Sequence, residues 1–325
     1  MSRLFAAALA FLLSLSLVHA APAETILDEW TDTARSNRVV PYKVYIAPAD
    51  RALPVVIFSH GLGGNREGTE YLLRHLAENG YAVVAVQHAG SDTPSVFGGM
   101  PGTPGFDIGK MQEGSRAAQA PAVAIDRFRD IPFAITQLEG MNASDAKLRG
   151  RLDMSRVGMS GHSYGAVTTL ALSGQSLGPN AQFSFGDQRI KASIAYSPNK
   201  PRQGDPARAF ATVRIPTFHM TGTEDTTPFD EGAPATQRKI PYQSITGADK
   251  YLLVFTGGDH MVFSGRTMRS GPRPTDAKFH ALIQKASLAY WDAYLKDNAD
   301  AKAYLTKGGF AKDLAADGTF EFQLR

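Results

Sequence analysis

The sequence predicts an α/β fold: a mostly parallel central sheet with helices on both faces. Three observations lead there. Short runs rich in Val, Ile and Phe recur along the chain, and the central ones are apolar nearly throughout, as strands covered on both faces are. Stretches with helical apolar spacing lie between them, and alternation of strand with helix belongs to parallel sheets. The 325 residues, 43% of them hydrophobic, are enough to bury a large core.

The first twenty residues stand apart from that pattern. Met1-Ser2-Arg3 carries one positive charge, Leu4 to Val18 is apolar except at Ser14 and Ser16, and Val18-His19-Ala20 places small residues where signal peptidase reads. This predicts a secretory signal peptide over 1–20, with Ala21-Pro22-Ala23 offering a second cleavage site. The alternative, an uncleaved anchor, is disfavoured because the apolar run is about 15 residues and a spanning helix needs roughly 20. A secreted or periplasmic protein without a membrane anchor is therefore expected, its mature catalytic domain covering 21–325.

Strands are expected at 42–47, 54–59, 81–87, 156–160, 190–196, 215–221 and 251–256. Helices are expected at 67–79, with Tyr71, Leu72, His75 and Leu76 on one face and Gly80 as the stop, at 122–138 with a kink at Pro132, at 164–173, and at 275–297. The stretch 88–120, full of Gly, Pro, Ser and Met, reads as a long loop, and 199–214 as a second irregular insertion.

Composition excludes several chemistries. With no cysteine, the chain has no disulfides, thiol nucleophile, zinc–thiolate site or cysteine-linked lipid. The net charge is only +3 and no basic run occurs, so neither nucleic acid nor a membrane surface is an expected partner. No HExxH, carboxylate cluster or phosphate loop appears, and no metal or other cofactor is expected.

The chemistry centres on Gly161-His162-Ser163-Tyr164-Gly165, a G-x-S-x-G match. Roughly 0.2 such matches would arise by chance in a chain of this composition, so the context must carry the argument. The motif follows an expected strand and opens an expected helix, the setting of a nucleophile elbow, with Ser163 the nucleophile. An oxyanion formed there can accept the N–H of Tyr164 at the helix head. A serine needs a base, and the base an orienting acid, in the chain order Ser, acid, His. Downstream of Ser163 lie only His219, inside a strand, His280, inside the last helix, and His260, just past the strand 251–256 at the sheet edge where catalytic groups gather. His260 is the expected base. Asp225, after the strand 215–221, is the expected acid, with Glu224 and Asp230 as competitors. Asp259 is a poor one, because neighbouring side chains in extended chain point apart. The second oxyanion donor is expected on Ser59-His60-Gly61-Leu62-Gly63-Gly64, at the N–H of Leu62. His60 is read as fixing that loop and His162 as structural, while His88 either lines the pocket or holds its loop.

Phe58 to Gly68, Gln87-His88-Ala89-Gly90-Ser91-Asp92 and Gly158 to Thr169 together resemble the bacterial group of predicted dienelactone hydrolases, itself similar to platelet-activating-factor acetylhydrolases. Trp30 to Pro41 resembles the amino-terminal strand pair of that group. The resemblance spans nearly all of the mature chain. It implies the α/β-hydrolase fold, a Ser-Asp-His triad and a small-molecule carboxylic ester as substrate. Two departures matter. Dienelactone hydrolases use a cysteine nucleophile, absent here. The acetylhydrolases place their acid after the strand equivalent to 190–196, where this chain reads Tyr196-Ser197-Pro198-Asn199.

Phe97, Met100 and Phe106 in the long loop, with Phe229 and Met261 beside the acid and base, either cover the acyl or alcohol group or seal the core edge. The competing readings are a lipase or polyesterase of the same fold, or a silent binding protein on a hydrolase scaffold.

Overall fold

The computed structural model describes residues 22–98, 108–227, 234–265 and 271–325, apart from the side chains of Ile108 and Lys110. Nine strands form one sheet: β1 (Glu24–Asp32), β2 (Arg38–Ile46), β3 (Leu53–Ser59), β4 (Ala82–Val86), β5 (Leu152–His162), β6 (Ile190–Tyr196), β7 (Thr217–Glu224), β8 (Lys250–Asp259) and β9 (Gly318–Gln323), in the order β1-β2-β4-β3-β5-β6-β7-β8-β9. From β4 through β8 every neighbouring pair is parallel. β1, β2 and, at the far edge, β9 are antiparallel additions.

The helices are α1 (Glu70–Glu78), α2 (Thr93–Phe97), α3 (Ile108–Ala118), α4 (Pro121–Ser144), α5 (Tyr164–Leu172), α6 (Pro206–Phe210), α7 (Ile240–Ser244), α8 (Asp276–Leu295), α9 (Ala299–Thr306) and α10 (Gly309–Leu314). Alternation along the strands sorts the core into two layers. Val56 and Phe58 face the layer containing α1 and α8, whereas Val55 and Ile57 face the layer containing α4 and the end of α5. Every residue of β3 is buried, which accounts for its apolar run from Leu53 to Phe58.

The expected strands are all present, and the pair around Trp30 forms a hairpin about Thr33–Arg35. Several features differ from expectation. The stretch 88–120 contains α2 and α3 rather than loop alone. Gly114 sits where a Cβ would come within 2.6 Å of the Val96 carbonyl oxygen, so this glycine serves a close approach rather than a turn. The insertion 199–214 contains α6, capped by the Asp205 side chain. Strand β9 was not expected, and α4, which contains Pro132 as expected, extends six residues further than expected, to Ser144. Among the described residues no helix is long and apolar enough to cross a membrane.

Helix α8 supports the strand that carries Ser163. A Cβ on Gly158 in β5 would lie 2.6 Å from the Trp291 ring, and Trp291 is fully buried. Trp291→Ala is expected to cost about 3–5 kcal/mol. A thermal or urea midpoint close to that of the unaltered protein would show that the interface relaxes instead.

Candidate active site

Ser163 stands between β5 and α5 with φ 57° and ψ −112°. Such a backbone costs a non-glycine residue of order 1–3 kcal/mol and persists only where its surroundings enforce it. Here its N–H donates to the Tyr196 carbonyl at 2.9 Å, and its carbonyl accepts from Ala166 N–H at 2.9 Å. The flanking glycines admit the neighbouring strand. A Cβ on Gly161 would stand 2.5 Å from the Gly165 carbonyl carbon, and one on Gly165 would stand 1.8 Å from the Ser59 carbonyl oxygen. This close passage delivers the loop after β3 to the serine, where a Cβ on Gly61 would lie 3.4 Å from that of Ser163.

Two residues that line the space beside Ser163 have backbone N–H groups with no acceptor among the described residues. Tyr164 opens α5, so its N–H has no intrahelical acceptor. In the facing loop, Gly63 and Gly64 donate to the Ser91 and Gly61 carbonyls, while Leu62 N–H meets no acceptor among the described residues. Leu62, Ser163 and Tyr164 share the wall of a cavity of about 520 Å³. This arrangement can hold a negative charge developing on an oxygen bound at Ser163.

The structure brings Asp225 and His260 together. Asp225 follows directly on β7 and is fully buried. His260 opens the one-turn helix His260–Ser264 after β8. His260 Nδ1 and Asp225 Oδ1 are 2.7 Å apart, Thr221 Oγ1 donates to Oδ2 at 2.7 Å, and Arg238 Nε lies 3.2 Å from Oδ1. Burial alone would raise this carboxyl. His260 and Arg238 outweigh it and hold the group well below the usual carboxylate range. The competitors are occupied elsewhere. Asp259 accepts from Met261 and Val262 N–H, both at 3.1 Å, and pairs with Arg273, whose guanidinium also reaches the exposed Glu224. Asp230 lies outside the described residues.

His162 ties the elbow to this pair. Its Nε2–H donates to the His260 carbonyl at 2.9 Å, and the two rings lie 4.6 Å apart. Burial, reinforced by His260, pulls its pKa down to about 3, so the ring is neutral. His280 donates to the Val262 carbonyl at 2.9 Å from α8 and supports the same one-turn helix. His219 is buried and faces the Tyr251 carbonyl.

Sequence reasoning missed the charge behind the loop after β3. Arg127 on α4 is fully buried. Its Nη2 donates to Ser59 Oγ at 2.9 Å and to the His60 carbonyl at 2.5 Å, Nη1 to Ser91 Oγ at 2.8 Å, and Nε to Thr168 Oγ1 at 3.2 Å. The guanidinium also lies over the Tyr164 ring, 4.4 Å from its centroid. Desolvation lowers its pKa to about 10, which still leaves it charged at neutral pH. His60 accepts from His88 N–H at Nε2, so its Nδ1–H donates to the Gly61 carbonyl. The readable signal was spacing: Arg127 and Asp130 fall among Phe128, Ile131, Ala134 and Ile135 on the apolar face of α4.

His88 holds its loop through a second Ser-His-Asp array. Its Nε2 is 2.9 Å from Ser59 Oγ and its Nδ1 is 2.9 Å from Asp130 Oδ2. Asp130 also takes two hydrogen bonds from Arg38, both 2.8 Å. Ser59, His88 and Asp130 are all completely buried. No substrate reaches that serine, and the array is structural.

Of the residues expected to cover the substrate, Phe97 packs against Gly63 in a small cluster with Val96 and Ala118, and Met261 is half-buried in the one-turn helix. Neither lines the cavity at Ser163. Asn199, Lys200, Arg202 and Gln237 do, together with Arg238. Met100, Phe106 and Phe229 lie outside the described residues. Among the described residues no three His, Asp or Glu side chains converge as metal ligands would.

Comparison with known proteins agrees with this architecture. The family model for platelet-activating factor acetylhydrolase, isoform II, matches residues 27–95. The platelet-activating factor acetylhydrolase of Cavia porcellus is 25% identical over 266 residues, 74% of this chain and 57% of that protein. The chain thus spans little more than half the length of this relative. The ferulic acid esterase from Streptomyces cinnamoneus superposes with a TM-score of 0.61 at 18% identity, covering 87% of this chain and 93% of that one. The chain has the α/β-hydrolase fold.

Two expectations follow from the buried charges. Arg127→Met leaves the His60 carbonyl and its neighbours without their donor, and should cost about 1–3 kcal/mol. The check is a lowered urea midpoint at unchanged slope. Arg127→Lys, unable to reach four acceptors at once, should recover only part. The second concerns acid. His60, His88, His162 and His219 are all held neutral by burial, with pKa values near 4 for His88 and His219 and near 3 for His162. The unfolded chain takes up protons near pH 6.5 while the folded one does not, so stability is full above about pH 6.5 and falls as pH drops toward 4. Each such histidine adds a slope of about 1.4 kcal/mol per pH unit. A urea midpoint constant between pH 7 and 5 would contradict this.

Proposed function

We propose that this chain is a serine hydrolase that cleaves carboxylic esters through an acyl-enzyme on Ser163. The observation that carries the reading is Ser163 itself: a serine in an enforced backbone conformation, at a helix head, open to a cavity and flanked by two N–H donors. The likeness to an acetylhydrolase and to an esterase supports the ester as substrate.

In the proposed cycle Ser163 Oγ attacks the ester carbonyl while His260 takes its proton. Nδ1–H of His260 is engaged by Asp225, which leaves Nε2 as the basic nitrogen. Asp225, held ionised by Arg238 and His260, stabilises the imidazolium. The N–H groups of Leu62 and Tyr164 bind the oxyanion, each donor contributing about 3 kcal/mol to the transition state. The imidazolium protonates the departing alcohol. Water, deprotonated by His260, then attacks the acyl-enzyme and releases the acid. The same proposal places the enzyme outside the cytoplasm after removal of residues 1–20, on the strength of their apolar run and small-residue ending.

The test is turnover of p-nitrophenyl acetate together with labelling by a fluorophosphonate. Ser163→Ala should lose about 10⁶-fold in kcat with the thermal midpoint little changed. Asp225→Asn should lose about 10⁴-fold. Near-normal turnover by Ser163→Ala, or a fluorophosphonate adduct on another serine, would overturn the assignment.

A further inference from the structure

A second cavity, of about 420 Å³, adjoins the one that holds Ser163. Both lie within the size range of small-molecule sites. Their walls share Gln119, Tyr164, Val167, Asn199, Lys200, Pro201 and Arg202, so the two chambers lie side by side. The linings differ. The Ser163 chamber alone carries Arg238, Gln237 and Thr227. The second is walled by Ala124, Ile125, Phe128, Leu177, Phe183 and Phe185. The Phe128 and Phe185 rings pack at 5.1 Å, and Phe183 reaches this chamber while 56% exposed. Arg202 crosses at the junction, donating to the Gln119 carbonyl at 3.1 Å and to Gln119 Oε1 at 2.6 Å. Both partners are neutral, so this strap is held without an ion pair.

We propose that the second chamber receives the apolar part of the acyl group, a medium-length alkyl chain or an aromatic ring, while the ester carbonyl sits at Ser163. This rests on the ester-hydrolase reading above. Two observations select the acyl half and its character. The chamber borders Tyr164 and Val167, within the first turns of α5 after Ser163, so it is adjacent to whatever remains covalently on Oγ once the alcohol has left. Its wall is aromatic and aliphatic, and offers a carbon chain burial that the polar Ser163 chamber does not.

The experiment is a series of p-nitrophenyl esters from acetate to octanoate, with the unaltered enzyme, Ala124→Trp and Phe183→Ser. In the unaltered enzyme kcat/KM should rise about fourfold for each methylene that enters the chamber. Ala124→Trp fills the chamber and should abolish the rise, losing about tenfold or more on octanoate while acetate stays within about twofold. Phe183→Ser alters an exposed side chain whose loss does not threaten folding, and should lower octanoate alone by a smaller factor. Normal acetate turnover with no gain on lengthening overturns the chamber assignment alone, as does Phe183→Ser leaving octanoate untouched. Absence of any turnover or fluorophosphonate label in the unaltered enzyme overturns the reading beneath it as well.

Discussion

Where β3 ends and α5 begins, two backbones pass so closely that Gly165 has room for nothing beyond a hydrogen atom on the side facing Ser59. Much of the site depends on this contact. It fixes the distance between the turn that carries Ser163 and the loop that carries Leu62, so the two N–H groups beside the serine are set by steric contact rather than by two flexible segments meeting. Arg127 closes the arrangement from behind. Burying a guanidinium without a carboxylate touching it is expensive. It remains charged because four neutral acceptors and the face of Tyr164 surround it. Those contacts come from β3, from the segment after β4, and from α5, so one side chain ties the two elements that flank the serine to the segment behind them.

The two Ser-His-Asp arrays show how little the hydrogen-bond pattern alone decides. Ser59, His88 and Asp130 meet at distances any triad would accept, and both carboxylates, Asp130 and Asp225, are held ionised by a histidine and an arginine each. Access separates them. Ser59 has no exposed surface and its Oγ already accepts from Arg127, whereas Ser163 borders a cavity and stands beside unengaged N–H groups. The surroundings of His88 are also wrong for a base. Burial and the Arg127 charge depress its pKa to about 4, so it resists the protonation that proton transfer requires.

Much of this was legible in the sequence, for definite reasons. The central strands announced themselves because burial on both faces leaves no choice but apolar residues, and β6 runs over the stretch expected of it. The pairing of His260 with Asp225 followed from chain order and strand ends. What stayed hidden depends on tertiary contact. Strand β9 covers only one face of itself, so Phe320 and Phe322 alternate with polar residues at the chain's end, and its pairing with β8 is invisible locally. Helix α3 carries Gly114, which reads as a loop signal until Val96 is seen beside it. The cavity-lining side chains were hardest. The cavity wall is made by Asn199, Lys200 and Arg202, whose positions depend on how an irregular segment lies over the sheet edge, and nothing in their local pattern marks them.

The histidine inside the elbow shows why a residue type can be dictated by a neighbour's chemistry. The proposed base, His260, must carry a positive charge partway through the cycle. Its backbone must also be held while its ring takes and returns a proton. A lysine or arginine donor to its carbonyl would supply the hold but add a charge against the imidazolium. An uncharged donor avoids that cost, and an aromatic one can also pack on the ring. His162, kept neutral by burial, does both: Nε2–H to the His260 carbonyl, ring against ring at 4.6 Å. Because His162 immediately precedes Ser163, the peptide segment that carries the proposed nucleophile also holds the backbone of the proposed base. The two segments are joined through one side-chain-to-carbonyl hydrogen bond and one ring contact, rather than through the loops that shape the cavity above them.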